Sequence, residues 1–196
     1  LTAVKREIAL KVLGIMGSPR IGGNTDLLLD EALKGAQSQG AETEKLTVAN
    51  LKISPCREIY ACLKDGNCVI KDDMVGIYPG ILAADAVIVA TPIFFYTVSP
   101  QLMALMSRCQ ALWSRKYVLK SMNIPVKKGA FIAVGATRGA RLFDGPKLTM
   151  KYFFQAINAE YTHELLIRGV DRKGEIKEHP TALADACELG KKLASA

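Results

Sequence analysis

Residues 86–90, Ala-Val-Ile-Val-Ala, are apolar without interruption and three of the five are β-branched. A strand with one wet face alternates apolar and polar side chains, so an unbroken run of this length implies burial on both faces. Two-sided burial requires helices above and below a parallel sheet. The rest of the chain supplies them. Residues 12–16 read as a first strand, and residues 25–39 as a helix with Leu28, Leu29, Ala32, Leu33 and Ala36 on one face, ended by Gly40. Residues 42–48 form a more polar strand suited to a sheet edge, and Asp72 and Asp73 cap a helix beginning near Met74. Residues 100–113 are helical, with Leu102, Leu105, Met106, Cys109, Leu112 and Trp113 at helical spacing. Residues 131–134 and 161–167 give two more strands, residues 147–157 a helix between them, and Pro180 opens a closing helix to about Leu193. Five strands alternating with helices predict an α/β three-layer sandwich with a five-stranded parallel sheet, for which the order 2-1-3-4-5 is one of two common solutions, in a single domain over residues 1–196.

Charge and hydropathy exclude other classes. Lys and Arg number 26 against 19 acids, a surplus that favours anionic ligands, but no basic run is interleaved with aromatics as nucleic-acid binding needs. There is no run of roughly 18 uncharged apolar residues, and the opening stretch carries Lys5, Arg6, Glu7 and Lys11 without a cleavage pattern. Five cysteines, an odd count in a chain large enough to form a core, point to a reducing compartment, the cytoplasm.

Between the first strand and its helix lies Met16-Gly17-Ser18-Pro19-Arg20-Ile21-Gly22-Gly23-Asn24-Thr25. A helix that starts here aims unpaired N–H groups at the loop, which suits an anion. Ser18, Asn24 and Thr25 add donors, Arg20 adds a planar cation, and Gly17, Gly22 and Gly23 free the backbone to approach a ligand. No Gly-Lys-Ser/Thr closes the loop and the G-x-G-x-x-G spacing is absent, so neither a triphosphate nor a dinucleotide is indicated. A single phosphate monoester dianion remains; the alternative is a polar turn that merely caps the helix. In a sheet of this order ligands lie at the carboxyl ends of the strands, where strand order reverses. The third strand leads there into Thr91-Pro92-Ile93-Phe94-Phe95-Tyr96 and the fourth into Thr137-Arg138-Gly139. Three consecutive aromatics cannot all be buried in one direction, so at least one is offered to a flat ligand or a partner. The competing view has Phe94 and Phe95 capping the core.

Residues 18–25, then Pro92-Ile93-Phe94-Phe95 leading to Leu102 and Arg108, then Thr137-Arg138-Gly139, together resemble the NADPH-dependent FMN reductase family and its iron-sulfur flavoprotein branch. The resemblance runs from the first strand through the fourth helix. It implies a flavodoxin-like fold and FMN as cofactor. Ser18, Arg20, Gly23, Asn24 and Thr25 would hold the FMN phosphate, Pro92, Ile93, Phe94 and Phe95 would line the isoalloxazine and ribityl chain, and Thr137, Arg138 and Gly139 the other side of the ring. Two departures stand out. The family often has Tyr where this chain has Phe94, and Asp where it has Ser107, which puts an Asp–Arg pairing at Arg108 in doubt.

Cys56, Cys62 and Cys68 are similar to the cluster segment of iron-sulfur flavoproteins, but Ile59 stands where that branch has a further cysteine. A [4Fe–4S] cluster takes four thiolates, so the segment reads as a thiol loop rather than a cluster or zinc site. Cys109 and Cys187 sit on apolar helix faces and read as core.

The function expected is an FMN-dependent oxidoreductase that moves hydride or electrons from NAD(P)H to a quinone, flavin or other small acceptor, with no side chain as acid or base. His163 and His179 lie outside all three loops. A one-electron carrier and a redox sensor are the rivals, and a homodimer or homotetramer is expected from the aromatic loop and the family resemblance.

Overall fold

The computed structural model describes residues 9–195, and the leader-free reading of the opening stretch rests on residues outside that range. Strands β1 (Lys11–Met16), β2 (Glu42–Thr47), β3 (Ala86–Pro92), β4 (Lys127–Gly135) and β5 (Ala159–Arg168) form one parallel sheet in the order β2-β1-β3-β4-β5. Of the two orders the patterning allows, the chain has the flavodoxin-like one. Helices α1 (Asn24–Gln37), α2 (Cys62–Asp65), α3 (Met74–Ala83), α4 (Pro100–Arg108), α5 (Gln110–Trp113), α6 (Asp144–Ala156) and α7 (Ala182–Ala194) complete it.

The two faces of the central strand explain the apolar run. Val87 and Val89 pack with Leu13, Ile15 and Phe131 under α3, α4, α5 and α6, whereas Ala86, Ile88 and Ala90 pack with Val12, Met16 and Ile132 under α1 and α7. Successive side chains leave a strand on opposite sides, so a strand covered twice must be apolar at every position. On the second face α1 and α7 touch backbone to backbone: a methyl on Gly190 would fall 1.8 Å from the Ala32 carbonyl oxygen, and one on Gly35 2.0 Å from that of Cys187.

Several boundaries differ from those expected. β4 begins at Lys127, four residues ahead of the apolar stretch, because the buried Lys127 ammonium donates to the Leu82 and Ala84 carbonyls at the end of α3. The helix expected over 100–113 breaks at Cys109 into α4, α5 and a single π-type turn (Ser114–Val118). α6 starts at Asp144 and accommodates Pro146 in its first turn, where no N–H is required. At α3 it is the Asp72 carboxylate that accepts the Met74 N–H (3.1 Å), with Asp73 turned to Lys52 N–H. α7 begins after Pro180, with His179 Nδ1 accepting the Thr181 and Ala182 N–H groups at its start.

Candidate functional site at the carboxyl ends of β1, β3 and β4

The β1–α1 loop is bonded into shape from below. Gly17 donates to the Ala90 carbonyl at the end of β3 (2.7 Å), and its own carbonyl accepts the Ser99 hydroxyl. Ser99 in turn caps α4 by accepting Leu102 N–H (3.2 Å), so one buried hydroxyl fixes two loops and a helix. Further along, Ser18 Oγ accepts Arg20 N–H (3.1 Å), Asp26 accepts Gly22 N–H (2.7 Å), and Gly23 donates to the Arg20 carbonyl (3.0 Å). Gly22 has φ +70°, and a Cβ on Gly23 would lie 2.8 Å from that carbonyl oxygen, so both glycines are required by the turn. Asn24, Thr25 and Asp26 then open α1, whose first-turn N–H groups lack intrahelical acceptors.

Ser18, Pro19, Arg20, Gly23, Asn24 and Thr25 line a cleft of about 180 Å³ together with Pro92, Ile93 and Phe94 from the end of β3, Val134 and Ala136 from the end of β4, and Val170, Asp171 and Lys173 beyond β5. Eight of the predicted site residues meet there. Phe95, Thr137, Arg138 and Gly139 do not line the cleft but stand beside it. The Asn24 side chain is engaged at both ends, Nδ2 donating to the Arg172 carbonyl (2.9 Å) and Oδ1 accepting Ile176 N–H (3.1 Å). Arg20 Nη1 donates to the Asp171 carbonyl (3.2 Å). Among the described residues no carboxylate pairs with Arg20 or Lys173. Two cations and a helix N-terminus therefore face one small cleft, an electrostatic setting for an anion.

The aromatic loop is a tight two-residue turn. Phe94 and Thr97 exchange both backbone hydrogen bonds at 2.9 Å, and Phe95 and Tyr96 between them have φ of 47° and 59°. The left-handed region is unfavourable for such side chains by about 1 kcal/mol or more each. Phe95 is 99% exposed, which excludes a core-capping role for it. The turn leans on the β4–α6 loop, where a methyl on Gly139 would meet the Tyr96 hydroxyl at 2.8 Å. Arg168 holds that second loop, donating to the Gly139 and Ala140 carbonyls (3.3 and 3.2 Å) while its guanidinium stacks on Phe143.

Asp26, Ser99, Arg168 and Lys173 are the contributors that sequence reasoning passed over. Ser99 carried a signal, since Ser-Pro ahead of a helical run is a capping pattern. Lys173 carried none: it lies in the charged stretch Asp171-Arg172-Lys173-Gly174, which reads as a surface turn.

The cysteine segment is clamped at both ends by the carboxyl end of α4. Arg108, with its side chain fully buried, donates from Nη1 to the Ser54 carbonyl (2.9 Å) and to Asp72 (2.6 Å), and from Nη2 to the Ile70 carbonyl (3.0 Å). Ser107 Oγ accepts Cys56 N–H (3.0 Å). The acid opposite Arg108 is thus Asp72, while Ser107 ties down the loop. Burial raises the Cys62 thiol pKa, and the neighbouring Cys56 and Cys68 add to it. Ile59 is exposed between Glu58 and Tyr60, which have φ of 50° and 61°. Among the described residues no group of three or more His, Cys, Asp or Glu side chains is placed to hold a metal ion. Cys56, Cys62 and Cys68 supply three thiols, one fewer than a four-thiolate cluster takes. Burial pushes the Cys109 thiol up to about 12, in keeping with a core residue.

Residues 10–143 match the family model of the NADPH-dependent FMN reductases. An iron-sulfur flavoprotein of Methanocaldococcus jannaschii is 33% identical over 198 residues, covering 94% of this chain and 96% of that one. An iron-sulfur flavoprotein of Archaeoglobus fulgidus is 42% identical over 127 residues, covering 65% of this chain and 63% of its own. Among solved structures, an NAD(P)H:quinone oxidoreductase from Methanothermobacter marburgensis superposes with a TM-score of 0.72 at 15% identity, over 96% of this chain and 98% of that one, a likeness of fold.

Proposed function

Because the chain belongs to the NADPH-dependent FMN reductase family, we propose that the cleft at the ends of β1, β3 and β4 is its FMN site and that the acceptor of its electrons is a small molecule such as a quinone or flavin. The protein is an FMN-dependent oxidoreductase using NAD(P)H. Bound FMN supplies the hydride and electron chemistry. The chain's own residues bind and orient it. Arg20, the Ser18 hydroxyl and the N–H groups opening α1 take the phosphate; Pro92, Ile93 and Phe94 bound the ribityl chain and one edge of the ring; Thr137, Arg138 and Gly139 stand at the other edge. N–H groups of that last loop are suited to negative charge on a reduced ring. Neither histidine lines the cleft.

The observation that carries this reading is the meeting, in one cleft, of a glycine-shaped helix N-terminus with Arg20 and with the apolar Ile93, Phe94 and Val134. Residues 1–196 act as one FMN-binding domain. The five cysteines, all free, suit a cytoplasmic setting.

Titration of the flavin-free protein with FMN tests the site. Micromolar or tighter binding is expected, weakened about ten- to hundred-fold by Arg20→Ala, the range for a hydrogen bond to a charged group. NADPH and NADH oxidation with menadione then measures turnover. A protein that takes up no FMN ends the proposal. A second reading, electron transfer by an iron-sulfur flavoprotein, is favoured by the archaeal relatives and opposed by the missing fourth thiolate. Iron and sulfide analysis of anaerobically purified protein separates the two.

A further inference from the structure

The segment following β5 lies beyond residue 143, where the family match ends, yet it is fastened to the phosphate-facing loop. Asp171 and Arg172 N–H groups both donate to one Glu175 carboxylate oxygen (2.8 Å each), and Gly169 and Gly174 take φ of +73° and +83°, so the segment is a defined turn. Asn24, only 9% exposed, bonds to its backbone at Arg172 and Ile176, and Arg20 bonds to it at Asp171. Lys173 projects from this turn into the cleft, its ammonium 3.9 Å from the place a methyl on Gly22 would occupy. Glu175 is already engaged by two N–H groups and by Arg172. Asp171 is the acidic residue among the cleft's lining, and it offers its carbonyl to Arg20.

Resting on the FMN site proposed above, we infer that residues 169–176 form a strap across the phosphate end of the cleft and that Lys173 supplies the second positive charge for the FMN phosphate. A phosphate monoester carries close to two negative charges at neutral pH, and one guanidinium balances only half of that. An ammonium on a flexible stem adapts its position where a planar fork cannot. Asn24 then acts as a positioning residue: its side chain holds the strap while its backbone opens α1. The site so built discriminates by the phosphate, favouring FMN over riboflavin.

The test uses the full chain, freed of flavin and titrated with FMN and with riboflavin at low and high ionic strength, following the quenching of flavin fluorescence. Lys173→Gln is expected to weaken FMN about ten-fold at low salt, the lower end for a charged hydrogen bond, and less at high salt, because solvent screens an exposed ammonium. Riboflavin affinity stays unchanged, and Lys173→Arg restores most of the FMN affinity. An equal loss for both flavins, or no loss for FMN in a protein whose wild type binds it, overturns the strap and leaves the cofactor site standing. A wild-type protein that binds neither flavin overturns both.

Discussion

Arg108 illustrates how one side chain organises a segment that has little regular structure. Its guanidinium joins Ser54, Ile70 and Asp72, so the cysteine loop is closed by hydrogen bonds at its two ends and cannot drift from the end of α4. Breaking a buried ion pair by removing one partner leaves the other uncompensated, and Arg108→Met is expected to lower unfolding free energy by about 3 kcal/mol or more, read by urea denaturation. Burial raises the Asp72 carboxyl, but hydrogen bonds from Arg108, Ser54 N–H and Met74 N–H outweigh it, and the net shift is downward. A depressed carboxylate contributes stability that is complete above its unfolded value of about 3.9 and fades as pH falls through the lower folded value. Amide protection factors, taken against the intrinsic exchange rate at each pH, are therefore expected to fall in residues 54–74 on acidification below about pH 4, and in Asp72→Asn to be low already at neutral pH. The neighbouring Ile59→Cys adds a fourth thiol; anaerobic reconstitution with iron and sulfide should give it a cluster absorption that the parent chain does not develop. Equal iron uptake by both would sink the three-thiol reading. The Ser107 departure was visible in the sequence, but the acid that answers Arg108 was not, because Asp72 lies 36 positions away and reads locally as a helix cap.

Helices and strands, by contrast, were legible wherever burial imposed a period. The apolar run of β3 and the Leu/Ala stripe of α1 follow from the faces they cover, and the observed sheet order is one of the two common for parallel strands joined by helices. Boundaries were missed where a tertiary contact set them. Lys127 starts β4 early because two carbonyls at the end of α3 satisfy its ammonium, and a lysine pair reads as a loop when those carbonyls are not known. The contact between α1 and α7 is of the same kind. Gly35 and Gly190 look like weak points in helical sequences, yet each makes room for the other helix's backbone. Overpacking costs about 1–3 kcal/mol and occasionally more. Gly190→Ala, with backbone oxygen in the way rather than a yielding side chain, is expected at or above the upper end, seen as a lower urea midpoint; a neutral effect would show that the helices part easily.

For the molecule as a whole, the cleft is the telling quantity. At about 180 Å³ it is smaller than the roughly 300–1,000 Å³ of typical ligand pockets. At its edge stand the exposed Phe94, Phe95 and Tyr96, an apolar surface that a second copy of the chain is expected to cover. Light scattering is expected to return a dimer or larger, and Phe95→Asn, which tolerates positive φ, should ease the turn while shifting the assembly toward monomer. A 21.2 kDa species from the parent chain would refute this.

The sequence by itself determined the layered α/β architecture and the glycine-rich turn between β1 and α1, because both are written in neighbours: periodicities of two and 3.6 residues, and glycines and polar donors within one turn of a helix start. Only the tertiary structure decided what completes the site. Asn24 meets Arg172 across 148 positions and Arg20 meets Asp171 across 151, and such pairs leave no local pattern. They exist because α1 and the turn after β5 pack at the same end of one sheet, a consequence of the whole core's burial rather than of any segment's own preference.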